Sequence, residues 1–486
     1  MTRTCEILNG YSSIFSAVKK RADYSPGVRF LAIAAAALPF LIYINPGGKP
    51  IFLGYFPFIL LVFVILGNKY YPIRLSFMAL PIFLMLFLFI LSLTKTEDLP
   101  AALVRMTHIT IGFFAFFIVI NIIRTENDID CVLKAIHSTG FLIAILGIGF
   151  WILINIFHNK TFFSLTYGGP LGPWLYGAHS AEEYEKVFEI GQSYALLKGV
   201  GRESEFLGYI ASTGIFALPV MNGLYSGFLI LMDLVIINNW NNKRYLWQSM
   251  LWINLLLTQS RTSWCALIVA LVMHYWWKHK SEIINIVPKR KRRTLRMSLS
   301  VLFIFIFISA NIGIKNMLLQ ILSPLNAIII EEYGHAEIGE YGDAGTTMGR
   351  LIEFYKFIDI MQTHPFIGVG FDKSLGSKYT KSDWEFRTHN EYFNMAIFSG
   401  VFGLLAYISF LGIPFGYSFK LARLPSHETL QNMGRLFKRL AVFWAISALG
   451  AGRSDNPKDY LPYWVITGLL IAAVIISKTM KQTETS

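Results

Sequence analysis

Apolar residues in this chain come in long blocks, at about 30–45, 51–67, 75–94, 102–123, 132–157, 206–238, 245–259, 263–277, 297–318, 391–419, 440–452 and 462–477. Crossing roughly 30 Å of hydrocarbon at about 1.5 Å per residue takes a helix of about 20 residues. A helix also satisfies its own backbone polar groups, which nothing else in hydrocarbon would do. The pattern therefore predicts an all-α fold, a polytopic membrane helical bundle of about 12 transmembrane helices. The sixth block contains Pro219 and the pair Asn222-Gly223. Two paths are open to it: one broken or tilted helix, or a re-entrant half-helix followed by a span.

These blocks divide the chain into a tail (1–29), helices one to five (30–157), an outer loop (158–205), helices six to nine (206–318), a large, partly helical outer loop (319–390), helices ten to twelve (391–477) and a second tail (478–486). Inside the large loop, Leu351, Phe354, Phe357, Ile358 and Met361 share one face of a predicted amphipathic helix over Arg350 to Thr363. His364-Pro365 ends that helix, because the residue before proline is pushed out of the helical region. Gly368-Val369-Gly370 then allows a tight extended turn, and the loop closes on Arg387-Thr388-His389-Asn390-Glu391-Tyr392 at the start of the tenth block.

Composition removes the soluble alternative: 54% apolar residues with 15% charged cannot form one water-soluble core. The net charge of +13 gathers on alternate loops, on the side that also holds both tails, most sharply at Lys289-Arg290-Lys291-Arg292-Arg293. Basic loops stay cytoplasmic, so both termini are expected inside and both long loops outside. The basic excess is then a matter of topology and lipid headgroups, and no nucleic-acid partner is expected. A polar tail precedes the first block and no small-x-small cleavage site follows it, so that block is expected to be a retained anchor. None of Cys5, Cys131 and Cys265 falls in an outer loop, so no disulfide framework or cysteine-ligated zinc is expected there. There is also no HExxH or close histidine pair, and no metal site is expected.

Three residues at outer span ends carry the candidate chemistry. Arg261, within Leu257-Thr258-Gln259-Ser260-Arg261-Thr262-Ser263, interrupts a nearly continuous apolar run from Leu246 to Trp277. A charge at that depth costs roughly 2.5–3.5 kcal/mol unless it is paired or near the interface. It is open to a second reading as a snorkelling arginine in a tight hairpin. Arg202 closes the first outer loop and His389 the second. Two guanidiniums offer planar forks suited to phosphate oxygens, and a histidine can take a proton near neutral pH. The combination points to a phosphate-bearing substrate held beside a proton acceptor.

The order of Gly201-Arg202, Leu257 to Arg261, Gly349-Arg350, His364 to Gly370, and His389 to Tyr392 followed by Gly400 and Gly403 resembles the O-antigen ligase and O-antigen polymerase superfamily. The resemblance covers about 200 to 415. It implies a membrane glycosyltransferase whose donor is an undecaprenyl-diphosphate-linked glycan, working on the periplasmic face of the bacterial inner membrane without a cofactor or catalytic metal. The implied partners are that donor, an acceptor that is either lipid A core or another lipid-linked glycan, membrane lipids, and other proteins of polysaccharide assembly. Arg202 and Arg261 match the arginines expected to hold the donor diphosphate, and His389 the histidine expected to deprotonate the acceptor hydroxyl. Displacement from the opposite face would invert the anomeric centre.

Other positions have two readings each. Arg350 matches the Gly-Arg that contacts donor or glycan, or else caps or orients the amphipathic helix. Asn390 and Glu391 orient His389 or bond sugar hydroxyls, or else cap the tenth helix. Arg387 adds positive charge to the outer cavity, as would Arg453. Trp174, Tyr379 and Trp384 stack on sugars or anchor at the interface. The ligase form is the expectation and the polymerase its alternative. A secondary transporter is the reading from another class, but such a protein would show two similar halves and midplane charges, and Asp233 is the one acidic residue well inside a block.

Overall fold

The computed structural model describes residues 25–41, 43–44, 51–67, 73–74, 76, 79–96, 99–155, 212, 216, 219–236, 243–258, 260–286, 354, 357–358, 360–370, 388, 390–424, 427–450 and 457–485. Eleven long helices run through these residues: α1 (Pro26–Ala37), α2 (Tyr55–Gly67), α3 (Leu80–Ser92), α4 (Leu99–Ile122), α5 (Glu126–Asn155), α6 (Pro219–Ile236), α7 (Lys243–Leu257), α8 (Arg261–Ile286), α9 (Glu391–Leu421), α10 (Glu428–Ala448) and α11 (Pro457–Thr485). A minimal antiparallel pair, β1 (Tyr43–Ile44) and β2 (Ile51–Phe52), joins α1 to α2. Each expected span except 297–318, which lies outside the described residues, coincides with one of these helices. Among the described residues, Glu126–Leu153, Glu391–Leu421 and Tyr460–Met480 are long and apolar enough to cross a membrane, and seven further apolar helices are shorter.

One element narrows a path the sequence left open, and another starts earlier than expected. The sixth block is not one continuous helix: Ser212 and Phe216 are non-helical, and α6 starts at Pro219, where a missing N–H costs nothing and the fixed φ suits the first helical turn. Helix α10, which carries the eleventh apolar block 440–452, starts about three turns before it, at Glu428. Its first half is amphipathic, burying Leu430, Met433, Leu436 and Phe437 while Arg435 stays exposed. A search for continuous apolar runs passes over such a stretch.

Helix α10 packs on α6, α8, α9 and α11. Phe443 lies over Gly227 of α6, where a side chain would leave no room for the ring. Trp444 sits between Phe228 of α6 and Tyr463 of α11, with ring centroids 6.1 and 4.8 Å away. On the far side, α11 packs on α4, with Gly112 beneath the Trp464 indole. Small residues in place of bulk let membrane helices approach closely. The pairings also fix the two ends of the bundle. Thr262 meets Gly450 and Tyr392 meets Ala445 at one end. Lys438 covers Trp277 and His427 bonds Glu126 at the other.

Candidate functional site

The turn that leads into α9 is tied down atom by atom. Asn390 is the N-cap, its Oδ1 accepting from the backbone N–H of Tyr392 (3.0 Å) and Phe393 (3.3 Å), which satisfies two donors a helix start leaves orphaned. One turn on, Asn394, 2% exposed, reaches back: its Oδ1 accepts from Thr388 N (2.9 Å) and its Nδ2 donates to Thr388 O (3.0 Å). The Thr388 hydroxyl lies 2.8 Å from Asn390 O and receives the Asn390 N–H at 3.2 Å. Both neighbours of position 389 are therefore held against the first turns of α9. The Tyr392 hydroxyl donates to Ala445 O (3.0 Å), fastening this helix start to the end of α10.

Lower on α9 the His364–Gly370 segment is spliced into the helix itself. Gly400 has φ 70°, a left-handed conformation that breaks the helical ladder. The Val401 N–H, which regular geometry would direct to Ile397 O, donates instead to Pro365 O (2.8 Å). The carbonyls it frees are taken up in turn: Ile397 O accepts from Val369 N (2.8 Å) and Phe398 O from Gly370 N (3.2 Å). The approach is close enough that a Cβ on Gly400 would fall on the Phe366 carbonyl, and one on Gly368, also at φ 70°, on the Ile397 carbonyl. Before the splice, Phe357 stacks on Phe393 with centroids 4.2 Å apart and planes at 10°, so this short helical piece leans on the first turn of α9. The predicted apolar face is only partly buried. Ile360, outside that face, is the buried residue, while Phe354 and Ile358 are exposed at the edge.

The start of α8 reaches the same end of the bundle. Arg261 is its first residue. Ser260 Oγ lies 2.7 Å from Ser263 Oγ and accepts from the Ser263 N–H (3.3 Å), and Ser263 Oγ donates to Val220 O (3.2 Å) on α6. Thr262 Oγ1 donates to Gly450 O at 3.5 Å, beyond the end of α10. Ser212, ten residues after Arg202, donates its N–H to Leu257 O (2.8 Å) and its hydroxyl to Gly147 O (2.9 Å). Beneath lies a carboxamide pair: Asn254 Nδ2 donates to Asn222 Oδ1 (3.0 Å) and Ser226 Oγ (2.9 Å), while Asn222 Nδ2 lies 3.3 Å from Asn254 Oδ1. All four side chains of this core, Ser212, Asn222, Ser226 and Asn254, are buried. Interhelical bonds of this kind contribute roughly 0.6 kcal/mol each on average, so their collective effect is to fix α5, α6 and α7 relative to one another beneath Arg261.

Of the residues singled out by sequence, Arg202, Arg350, Arg387 and His389 lie outside the described residues, as do Trp174, Tyr379, Trp384 and Arg453. Arg261 is placed by its backbone alone. Asn390 has a capping role, the plainer of its two readings. Glu391, 3% exposed, is the first residue of α9. The structure brings the helix start that bears Arg261 and the start of α9 to the same end of α10, the first at Gly450 just beyond it and the second at Ala445. Asn394, Asn254 and Ser212 escaped sequence reasoning. The available signal was that Asn254 and Asn394 are carboxamides inside apolar stretches, where a polar group has to find a partner. Among the described residues no three His, Cys, Asp or Glu side chains are grouped so as to hold a metal ion.

Two comparisons bear on this arrangement. Residues 249–408 match the family model described as O-antigen ligase. That stretch contains α8, the spliced glycine segment and the start of α9. A protein from Salmonella muenchen described as an O-antigen polymerase is 26% identical over 159 residues, covering 31% of this chain. The chain spans 40% of the length of that relative.

Proposed function

Because both matches support the O-antigen ligase and polymerase superfamily for this chain, we propose that it is a membrane glycosyltransferase of the O-antigen ligase type. The donor is a glycan on undecaprenyl diphosphate and the acceptor a hydroxyl of lipid A core, and transfer takes place on the periplasmic face of the inner membrane. In this reading about 12 spans carry the site, with the loops 158–205 and 319–390 above it. The observation that supports it is the meeting of the Arg261 helix start and the His389 turn at the end of α10.

Transfer then proceeds as follows. His389 takes the proton of the acceptor hydroxyl as its oxygen bonds to the anomeric carbon, a general-base contribution of about 10²–10⁴ in rate. The bond from that carbon to the diphosphate breaks on the opposite face, inverting the centre. Negative charge collects on the leaving undecaprenyl diphosphate, where the guanidiniums of Arg202 and Arg261 stabilise it without reorganising. Asn390 and Asn394 hold the backbone on either side of His389. Arg350, Arg387 and Glu391 are assigned to the glycan side of the site.

The polymerase is the second reading, favoured by the description of the Salmonella muenchen relative. Glycan profiling of a deletion strain, complemented by the wild-type protein or by His389→Ala, separates the two. Full-length glycan stranded on undecaprenyl diphosphate beside bare lipid A core is the outcome for a ligase. Single repeat units on core or carrier are the outcome for a polymerase. An unchanged glycan profile would overturn both.

A further inference from the structure

Arg439 lies near the middle of α10, one turn further into the bundle than Arg435 and next to Lys438, which covers Trp277 at the end of the bundle away from Gly450. It is 9% exposed, and its Nε and Nη1 are buried without a hydrogen-bond partner. A guanidinium has five donors and keeps its proton, so it cannot escape this cost by becoming neutral. An uncompensated buried charge costs several kcal/mol, and side chains are retained in that state where something completes them. The carboxylates of the neighbouring helices α5 and α6 have partners of their own: Asp233 in His137 and Gln248, Glu126 in His427, and Asp130 in Lys134. Arg435, exposed one turn before, bonds only neutral oxygens, at Gln431 (3.1 Å) and Asn432 (3.4 Å). It adds a second positive charge instead of cancelling the first.

We propose that Arg439, with Arg435 at its mouth, is a binding site for a phosphate oxyanion on the half of the bundle opposite the transfer site. The planar fork of Arg439 pairs with two oxygens of a phosphate at once, which a point charge cannot do. Two sources carry that group, a phospholipid headgroup and free phosphate. Arg439 directly precedes the apolar block 440–452, at the end of that block expected on the basic, cytoplasmic side, where pockets between membrane helices take anionic headgroups. It stands independently of the transfer reaction, because none of its residues belongs to that site.

The test is a melting curve of the full-length protein in a maltoside detergent, titrated separately with dioleoyl phosphatidylglycerol, with dioleoylglycerol (the same tails without phosphate) and with inorganic phosphate. Saturable stabilisation by phosphatidylglycerol but not dioleoylglycerol is expected, and a matching response to inorganic phosphate would make the oxyanion alone the ligand. In Arg439→Met the concentration needed for half the effect should rise about tenfold or more, the scale of one lost charge-assisted bond. Without phosphate that variant should melt no lower than the wild type, since the unpaired charge is gone. Equal responses to the two lipids with none to phosphate, or an unchanged response in Arg439→Met, overturns the site. Should Arg439→Met fail to fold, Arg435→Gln decides, with a weakened response supporting the site and an unchanged one overturning it.

Discussion

A carboxamide inside an apolar helix is tolerated when its atoms are bonded, and Asn394 meets that condition by closing on both backbone groups of Thr388. Asn394→Ala removes the bonds that hold one side of the His389 turn. Transfer should fall well below wild type while donor retention stays nearly intact, and the melting temperature should drop by the equivalent of about 1–3 kcal/mol for the unpaired Thr388 groups. Transfer rates, donor pull-down and a thermal melt measure the three effects; wild-type transfer in Asn394→Ala would remove the residue from the positioning of His389. At the other pole, Arg261→Lys keeps the charge but loses the fork, so turnover should fall about tenfold or more, read in the same assay. Single residues were unevenly legible in the sequence. Asn390 announced itself as a cap by its place before an apolar run, whereas the partner of Asn394 lies in a turn that no periodicity describes.

At the scale of elements, the exchange of backbone bonds between the His364–Gly370 segment and the kink of α9 sets how the loop meets the helix. Gly400→Ala places a methyl group on the Phe366 carbonyl and a side chain at φ 70°, ψ −171°, a region essentially reserved for glycine whose occupation alone costs roughly 1–3 kcal/mol. The variant should melt lower and lose transfer together, whereas Gly412→Ala on the same helix, where a Cβ meets nothing within 4 Å, should do neither. Helix positions were well marked by apolar blocks, because a membrane helix has to be apolar for most of its length. The start of α10 was not, because its first half pays for burial on one face only. The splice was not legible either. The glycines were visible as a turn, but the partner they turn against is a kink 30 residues further along, which only tertiary packing reveals.

Across the whole molecule, α10 connects the two proposed sites. Its end receives the start of α8 at Gly450 and the start of α9 at Ala445, and Arg439, near its middle, has Nε and Nη1 buried without a partner. The helical membrane character and the positions of the described helices were readable from sequence, because both depend on composition and spacing. That the starts of α8 and α9 both meet the end of α10 was not, because it depends on which helices are neighbours. The measurement that bears most directly on the role of that convergence is turnover by the purified His389→Ala protein, given lipid-linked glycan donor and lipid A core acceptor, with bound donor quantified in parallel. Loss of transfer by about 10² or more with donor retained is the expected result. Transfer at the wild-type rate would contradict a proton-accepting role for His389 and with it the proposed reaction.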